Sequence, residues 1–490
     1  MWLTIYYIFC YLVFAYSMLL LTGYVWLAIM SRSAQKQLEV NLPDDETIKY
    51  LMQGSPLTPA VSIIAPAFNE EVTIIDSVNS LMGIDYPDYE IVIVNDESTD
   101  RTLEILINEY KLVEIPYDIA LRVQSKPIKR VFKSTDERYK RLVVVDKVHG
   151  GRKADGSNAG INVCSNKYFV CTDVDCVIEP MALYRMMWFV INSHRPVIGV
   201  GATMLMSNGC VVDEGRVVEA NVPSQVLPMF QQLEYLRSFL ISKLGWYRLN
   251  ALPNISGGFG LFDTDVAVKS GGYDPMSMAE DVDLLLRMVT YMKNNGQDFR
   301  LGLVPKVCCW TEGPGSLKQL VRQRTRWARG LFEIVSNHRK MFFNPHYGPI
   351  GGLTLPYLFI FEFIAPMFEL VGWLFMFWLI LTGGVNWSAA FTIFGMIYLF
   401  SVFISIFVIF YDYRLKAVNW KNTKKSYFKL LLATLLEPII YHPIITYSST
   451  VGYWRFIINT TAVWTPIKRQ GVQKKEKDNK ENQENQEKKN

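Results

Sequence analysis

The feature that most constrains this chain is the way charge-free apolar stretches at both ends enclose an ordinary mixed sequence. Residues 2–30 contain no Asp, Glu, Lys or Arg, and roughly 20 consecutive apolar residues suffice for a membrane-spanning helix. Arg32 and Lys36 follow at once. Without a basic start or a small-residue cleavage site, the stretch reads as a retained anchor and not a signal peptide. The positive-inside tendency places the amino terminus outside and sends the chain into the cytosol after residue 30. Apolar stretches return at 353–381, 389–411 and 428–459. The link 412–429 carries Arg414, Lys416, Lys421, Lys424, Lys425 and Lys429, which marks it as cytosolic. Two spans before it satisfy that topology. In the last stretch Glu437, His442 and Arg455 interrupt the apolar run. It either spans once, or dips in and returns, which would keep Lys468 and Arg469 cytosolic.

Between these stretches the pattern changes to short apolar runs separated by helical segments. VSIIA (61–65), EIVIV (90–94), LVVVD (142–146) and YFVCTD (168–173) read as strands. Their alternation with helices implies a mostly parallel sheet covered on both faces. Ligands of such sheets bind beyond the carboxyl ends of the strands. Hairpins are expected at VFKSTDERYKRLVVV and at MLMSNGCVVDEGRVVEANV, the latter turning at Asp213-Glu214-Gly215. The expected organisation is an anchor (1–30), a linker (31–59), a catalytic domain (60–312) and amphipathic interface helices (313–345). A membrane region (346–467) with about three segments follows, then a tail (468–490) too charged to fold alone.

Composition narrows the function. The formal net charge is only +4, with no broad basic surface of the kind nucleic-acid binding needs. Seven cysteines without a C-x-x-C pair and five scattered histidines give no zinc-ligand spacing. That usage fits a reducing compartment.

The chemistry concentrates in four clusters at strand ends or turns. Asn95-Asp96-Glu97-Ser98-Thr99-Asp100 follows EIVIV; its carboxylates suit hydrogen bonding to a base or ribose, or equally a helix cap. Thr172-Asp173-Val174-Asp175 ends YFVC, and alternation along a strand would bring both carboxylates to one side. Paired carboxylates beside a diphosphate are hard oxygen ligands suited to Mg²⁺ or Mn²⁺. Gly150-Gly151-Arg152-Lys153-Ala154-Asp155, with Asn158 beyond it, allows close backbone approach and offers a lysine to phosphate or base edges. A plain glycine turn is the alternative; neither a Walker loop nor G-x-G-x-x-G is present. Ala279-Glu280-Asp281 opens the helical pattern VDLLLRMVTYM. There Asp281 is either a carboxylate stabilised by the helix dipole or a general base for an acceptor hydroxyl. Gln323-Arg324-Thr325-Arg326-Trp327 lies just before the membrane, where arginine can neutralise a diphosphate and Trp327 offers a flat face to a sugar ring. A plain surface amphipathic helix fits the same segment.

In this order and spacing the clusters resemble the D, D-x-D, ED, QRxRW pattern of processive family 2 glycosyltransferases, the group of cellulose, hyaluronan, chitin and poly-N-acetylglucosamine synthases. The likeness covers about residues 60–340 and continues into LPYLFIFEFIAPMFELVG. It implies an α/β GT-A domain on the cytosolic side, inserted between transmembrane helices of a multi-pass cell-membrane protein. Carried over, it assigns the donor to Asn69, Glu70, Asp96, Lys153, Asn158, Asp173, Gln323 and Arg326. The metal falls to Asp173 and Asp175, and catalysis to Asp281 with Glu280. The acceptor falls to Ser256, Gly257, Gly258 and Trp327. The implied partners are a UDP-sugar (N-acetylglucosamine or glucose), a glycan or lipid-linked acceptor, the bilayer and accessory export subunits; nucleic acid is not among them. A non-processive enzyme adding one sugar to a lipid would use the same residues. Three departures stand out: Asn95 and Glu97 in place of the usual Asp and Gly, the added Arg152, and Gly156-Ser157 for the usual Ala-Leu.

Overall fold

The computed structural model describes residues 2–213, 215–415, 417–458 and 473–474. The strands are β1 (Val61–Ala67), β2 (Tyr89–Asn95), β3 (Leu112–Ile115), β4 (Ile128–Ser134), β5 (Leu142–Lys147), β6 (Tyr168–Thr172) and β7 (Val177–Ile178). They continue with β8 (Val197–Met206), β9 (Val211–Asp213), β10 (Arg216–Glu219), β11 (Phe259–Asp263), β12 (Arg300–Thr311) and β13 (Gln473–Lys474). Ten of them form one sheet in the order β3-β4-β5-β2-β1-β6-β11-β8-β12-β7.

The four runs read as strands are its centre: β5, β2, β1 and β6 lie parallel, side by side. Side chains alternate between the two faces of a strand. Ile64, Val92, Val94 and Val145 accordingly pack into one apolar core, while Ile63, Ile91, Ile93 and Val144 pack into the other. Burial on both faces explains runs that are apolar throughout instead of alternating.

The sheet is mixed, not mostly parallel. β3–β4, β4–β5, β6–β11, β11–β8 and β12–β7 are antiparallel. The reason lies in the path between β8 and β11. The chain leaves β8 at the carboxyl edge of the parallel strands, makes the β9–β10 hairpin and the helix Val226–Arg237, and returns at that same edge. The helical run from Val226 to Arg248 carries the chain to the opposite edge, where Asn250 bonds Phe299 and Leu301 at the start of β12, and residues 251–258 bring it back, so β11 enters reversed. Both expected hairpins form, as β4–β5 and β9–β10.

Among the described residues, four helices are long and apolar enough to cross a membrane: Cys10–Glu39, Ile350–Thr382, Trp387–Arg414 and Thr423–Ile457. Trp373, Phe377, Phe391 and Phe403 stand exposed on them, as lipid-facing side chains do. The last is one continuous helix that contains Pro438 and Pro443 without turning back. It packs closely along the helix Leu317–Asn337. A Cβ at Gly452 would lie 2.6 Å from the Thr325 carbonyl oxygen and 2.8 Å from Ala328 Cβ, so only glycine admits this approach. Near its start Lys421 N–H donates to the Ala220 carbonyl (3.0 Å). In its middle Glu437 pairs with Arg237 (2.8 Å) and Tyr441 donates to Glu234 (2.6 Å). Near its end Phe456 stacks on Phe332. Glu437 and His442, the residues that broke the apolar pattern, are thus partnered, His442 by Glu369 at 3.0 Å. Most of the tail 468–490 lies outside the described residues; Gln473–Lys474 pairs parallel to β9.

Candidate active site

The carboxyl ends of β5, β2, β1 and β6 meet at one edge, and the start of β11 joins them because it runs the other way. Topology therefore collects three of the four sequence clusters, with Asn69-Glu70 after β1 and the 256–258 loop before β11, before any side chain is considered.

Asp96 follows β2 and is 5% exposed. Its carboxylate accepts from the Gly150 N–H (2.9 Å) and from Lys147 Nζ (2.5 Å). Lys147, fully buried, also pairs with Asp155 at 2.5 Å and donates to the Val148 carbonyl. One lysine thus neutralises two buried carboxylates, and a Cβ on Gly150 would lie 2.2 Å from the Asp155 carboxylate. Sequence reading missed Lys147; the signal was a lysine closing an otherwise apolar strand just before two glycines. Beside Asp96, Phe68 stacks on His149 at 4.6 Å between ring centres.

Two departures acquire a physical account here. Asn95 donates to Asp146 (2.8 Å), which Arg130 also holds, so an aspartate at 95 would set two carboxylates together. Glu97 sits at φ +57°, a left-handed conformation that suits glycine. Its carboxylate offsets that cost by accepting the His149 N–H (2.9 Å) and pairing with Lys129. Arg152 reaches across to the Met276 carbonyl and ties the glycine turn to the loop before Glu280.

Asn69 and Glu70 follow β1 next to Asp96, but their side chains serve the loops. Asn69 accepts from the Thr99 N–H (2.8 Å), and Glu70 accepts from the Thr73 hydroxyl (2.6 Å). Asn158 does not face the pocket. It is fully buried, and its amide is saturated by the Gln124 and Tyr273 carbonyls and the Tyr273 N–H, each at 2.8 Å.

β6 ends at Thr172, so Asp173 and Asp175 converge through a turn and not by strand alternation; Cys176 N–H donates to the Asp173 carbonyl (3.1 Å). The ligand atoms of Asp173, Asp175 and Cys176 lie within 4.8 Å of one another. Two carboxylates fit a hard divalent cation such as Mg²⁺ or Mn²⁺. Cys176 does not add a thiolate, because the neighbouring Cys309 thiol and burial keep it protonated.

Lys153, at the start of the helix Lys153–Val163, bonds Asp173 (2.6 Å) and the Gly257 carbonyl (2.5 Å). Burial opposes its charge, but Asp173, Cys171 and Glu280 outweigh burial and hold its pKa above the lysine range. The loop Ser256-Gly257-Gly258 then links the two acidic centres. Thr172 donates to the Gly258 carbonyl (2.9 Å), and the Gly257 N–H donates to Asp281 (3.0 Å). A Cβ on Gly257 would lie 3.4 Å from Asp281, and one on Gly258 would lie 3.5 Å from Asp173.

Glu280 and Asp281 occupy the first turn of the helix Glu280–Asn294. Burial first, then the Asp281 charge, raise the Glu280 pKa, while Lys153 and Arg326 pull it down. The helix Leu317–Asn337 is fastened against this turn. Gly330 packs on Ala279, Glu333 accepts from the Met278 N–H (3.1 Å), and His338 meets Asp283 (2.8 Å). The two arginines of its motif have separate roles. Arg324 is buried, holds Glu234 through both terminal nitrogens (2.9 and 2.7 Å), bonds Tyr441 and lies 4.2 Å over the Trp327 ring. Arg326 has no ion pair among the described residues and lies close enough to Glu280 to lower its pKa. Gln323 keeps a buried carbonyl oxygen without a hydrogen-bond donor, and Trp327 is 37% exposed.

A mixed sheet with an acidic turn at its parallel strand ends, faced by a glycine loop and a half-buried acidic pair, defines a GT-A glycosyltransferase domain between apolar helices. The chain matches the model of glycosyl transferase family 2 over residues 62–204 and that of glycosyl transferase family group 2 over 223–413; it belongs to glycosyltransferase family 2. It is 28% identical to the probable glycosyltransferase YdaM of Bacillus subtilis, over 58% of each chain. It is 26% identical to the poly-beta-1,6-N-acetyl-D-glucosamine synthase of Staphylococcus epidermidis, over 56% of this chain and 55% of that one. The match thus spans little more than half the length of these relatives. Among solved structures, a mannosyltransferase from Pyrobaculum calidifontis aligns over 89% of this chain and all of its own, at 15% identity and a TM-score of 0.48.

Proposed function

We propose that this chain is an inverting membrane glycosyltransferase that moves a sugar from a UDP-sugar, N-acetylglucosamine before glucose, onto a growing β-linked polysaccharide. The observation that carries the reading is the glycine loop, which touches Asp173 through Lys153 and Asp281 through the Gly257 N–H. Because 256–258 brings almost no side-chain bulk between them, a sugar has room with its diphosphate toward Asp173 and its anomeric carbon toward Asp281. The preference for N-acetylglucosamine rests on the named activity of the staphylococcal relative.

In the proposed reaction Asp281 takes the proton of an acceptor hydroxyl. The oxygen attacks the anomeric carbon from the face opposite the phosphate, the new C–O bond forms as the C–O bond to UDP breaks, and an α-linked donor yields a β-linked product. Arg326 is the chain's own cation for the charge gathering on the leaving diphosphate. Mg²⁺ or Mn²⁺, when held by Asp173 and Asp175, supplies further neutralisation there. Trp327 gives the acceptor ring an apolar face.

The placement follows the charges. The catalytic domain lies in the cytosol, and the helix Thr423–Ile457 lies along the junction of domain and membrane instead of crossing. Contacts from Ala220 at its start to Phe332 at its end keep both ends on the domain side.

The test is a membrane-fraction assay with radiolabelled UDP-N-acetylglucosamine and UDP-glucose, with added Mg²⁺ or Mn²⁺ and again after chelation. A metal-dependent, high-molecular-weight β-linked product is expected. A short, lipid-extractable product would replace the polymer reading with single addition to a lipid, and an α-linked product would overturn inversion.

A further inference from the structure

Away from the catalytic edge, one half-open cavity combines positive charge with a serine hydroxyl, neither fully matched among the described residues. It encloses about 450 Å³ where the β9–β10 hairpin and the loop after it meet the first turns of the helix Thr423–Ile457. Lys421, Lys425 and Lys429 line it; Lys421 precedes the helix, and the four-residue spacing of Lys425 and Lys429 brings those two to one of its faces. The only carboxylate in its wall is Glu219, already paired with Lys421. Lys425 and Lys429 have no acidic partner among the described residues.

Ser426 supplies the independent observation. It is 4% exposed and lines the cavity, and its hydroxyl makes no hydrogen bond among the described residues. A hydroxyl with no protein partner among the described residues is free to donate to a group that enters the cavity. The wall therefore offers two unpaired ammonium groups and a hydroxyl donor, beside the positive end of a long helix. An anion with several acceptor oxygens satisfies them together. The cavity lies one short link beyond Arg414, which ends the preceding apolar helix, and anionic headgroups attract basic residues that flank a membrane-spanning helix.

We infer that this cavity binds a phosphate group, carried either by an anionic phospholipid headgroup or by a free phosphate-bearing solute. None of its residues belongs to the catalytic site, so the inference stands independently of the donor and acceptor assignments.

The experiment uses the full-length protein purified in detergent. Native mass spectrometry measures retention of phosphatidylglycerol against phosphatidylcholine, and hydrogen exchange over residues 421–429 is followed as inorganic phosphate is added. Wild type is compared with Lys425→Gln/Lys429→Gln, with Ser426→Ala and with the charge-keeping Lys425→Arg/Lys429→Arg. Preferential retention of phosphatidylglycerol assigns the site to a lipid headgroup; protection by inorganic phosphate alone assigns it to a solute. In either case the double glutamine variant binds about thirtyfold more weakly, roughly fivefold per lysine. Ser426→Ala binds about tenfold more weakly, and the arginine variant retains binding, which separates lost charge from misfolding. Equal retention of both lipids by wild type and the glutamine variant, with no protection by phosphate, overturns the inference.

Discussion

The two ends of the active site treat their carboxylates differently. At the sheet edge the acids have cationic partners: the buried Asp96 and Asp155 share Lys147, and the half-exposed Asp173 has Lys153. Across the glycine loop Glu280 and Asp281 stand side by side with no lysine or arginine bonded to either among the described residues, and Arg326 is nearby but unpaired. A carboxylate beside a cation is stabilised as an anion, whereas crowded carboxylates become more basic. In the proposed mechanism the first end holds and positions the donor, and the second takes a proton.

That contrast is breakable at single residues. The largest effect is expected at Asp281. Asp281→Asn keeps the shape and the Gly257 contact but removes the base, and transfer should fall by about 10²–10⁴-fold, measured as initial rates with saturating donor. Next is Lys147→Gln, which leaves Asp96 and Asp155 buried without their shared cation. Breaking such a set costs about 3–5 kcal/mol, to be read as a fall in the midpoint of thermal unfolding, with Lys147→Arg losing less. Arg326→Ala should slow transfer by about 10²–10³-fold, whereas Arg324→Ala should loosen the Glu234–Tyr441 contact and appear chiefly as lower stability. Equal rate losses from both arginines would erase the distinction between them.

The smallest effect sharpens the acceptor end. Glu280 carries a raised pKa, from burial and then the charge of Asp281. Glu280→Gln removes this titrating carboxyl beside the proposed base, so any step that its ionisation adds to the kcat/KM profile should disappear, with a rate change of less than about tenfold. The same shift has a stability sign. A carboxyl whose folded pKa lies above its unfolded value favours the native state at low pH, and that contribution is lost as pH rises from the unfolded value through the folded one. The variant should therefore lose less stability than wild type across that window.

The central strands, the acidic clusters and the arginine motif were legible because each is local: an apolar run, a carboxylate pair or a basic segment before the membrane. Lys147 was not, since its partners lie 51 residues before it and 8 after it, and only the parallel pairing of β2 and β5 brings them together. Asn158 was misread for the opposite reason. It sits next to a glycine-rich turn in sequence, yet on the helix Lys153–Val163 it points inward to Tyr273. The convergence of Asp173 and Asp175 was right in outcome and wrong in mechanism, because the strand stops at Thr172. β11 and β12 escaped notice, as their direction depends on the long excursion after β8. The last apolar stretch left two topologies open, and contacts with Arg237, Glu234 and Phe332, all distant in sequence, show how it packs.

The most direct test separates binding from chemistry at the two ends. Equilibrium binding of UDP, by calorimetry in the presence of Mn²⁺, would compare wild type, Asp281→Asn and Asp173→Asn. The predicted result is near-wild-type affinity for Asp281→Asn despite lost transfer, and strongly weakened affinity for Asp173→Asn. Loss of UDP binding in Asp281→Asn, with binding intact in Asp173→Asn, would contradict the assignment of a donor-holding end and a proton-taking end.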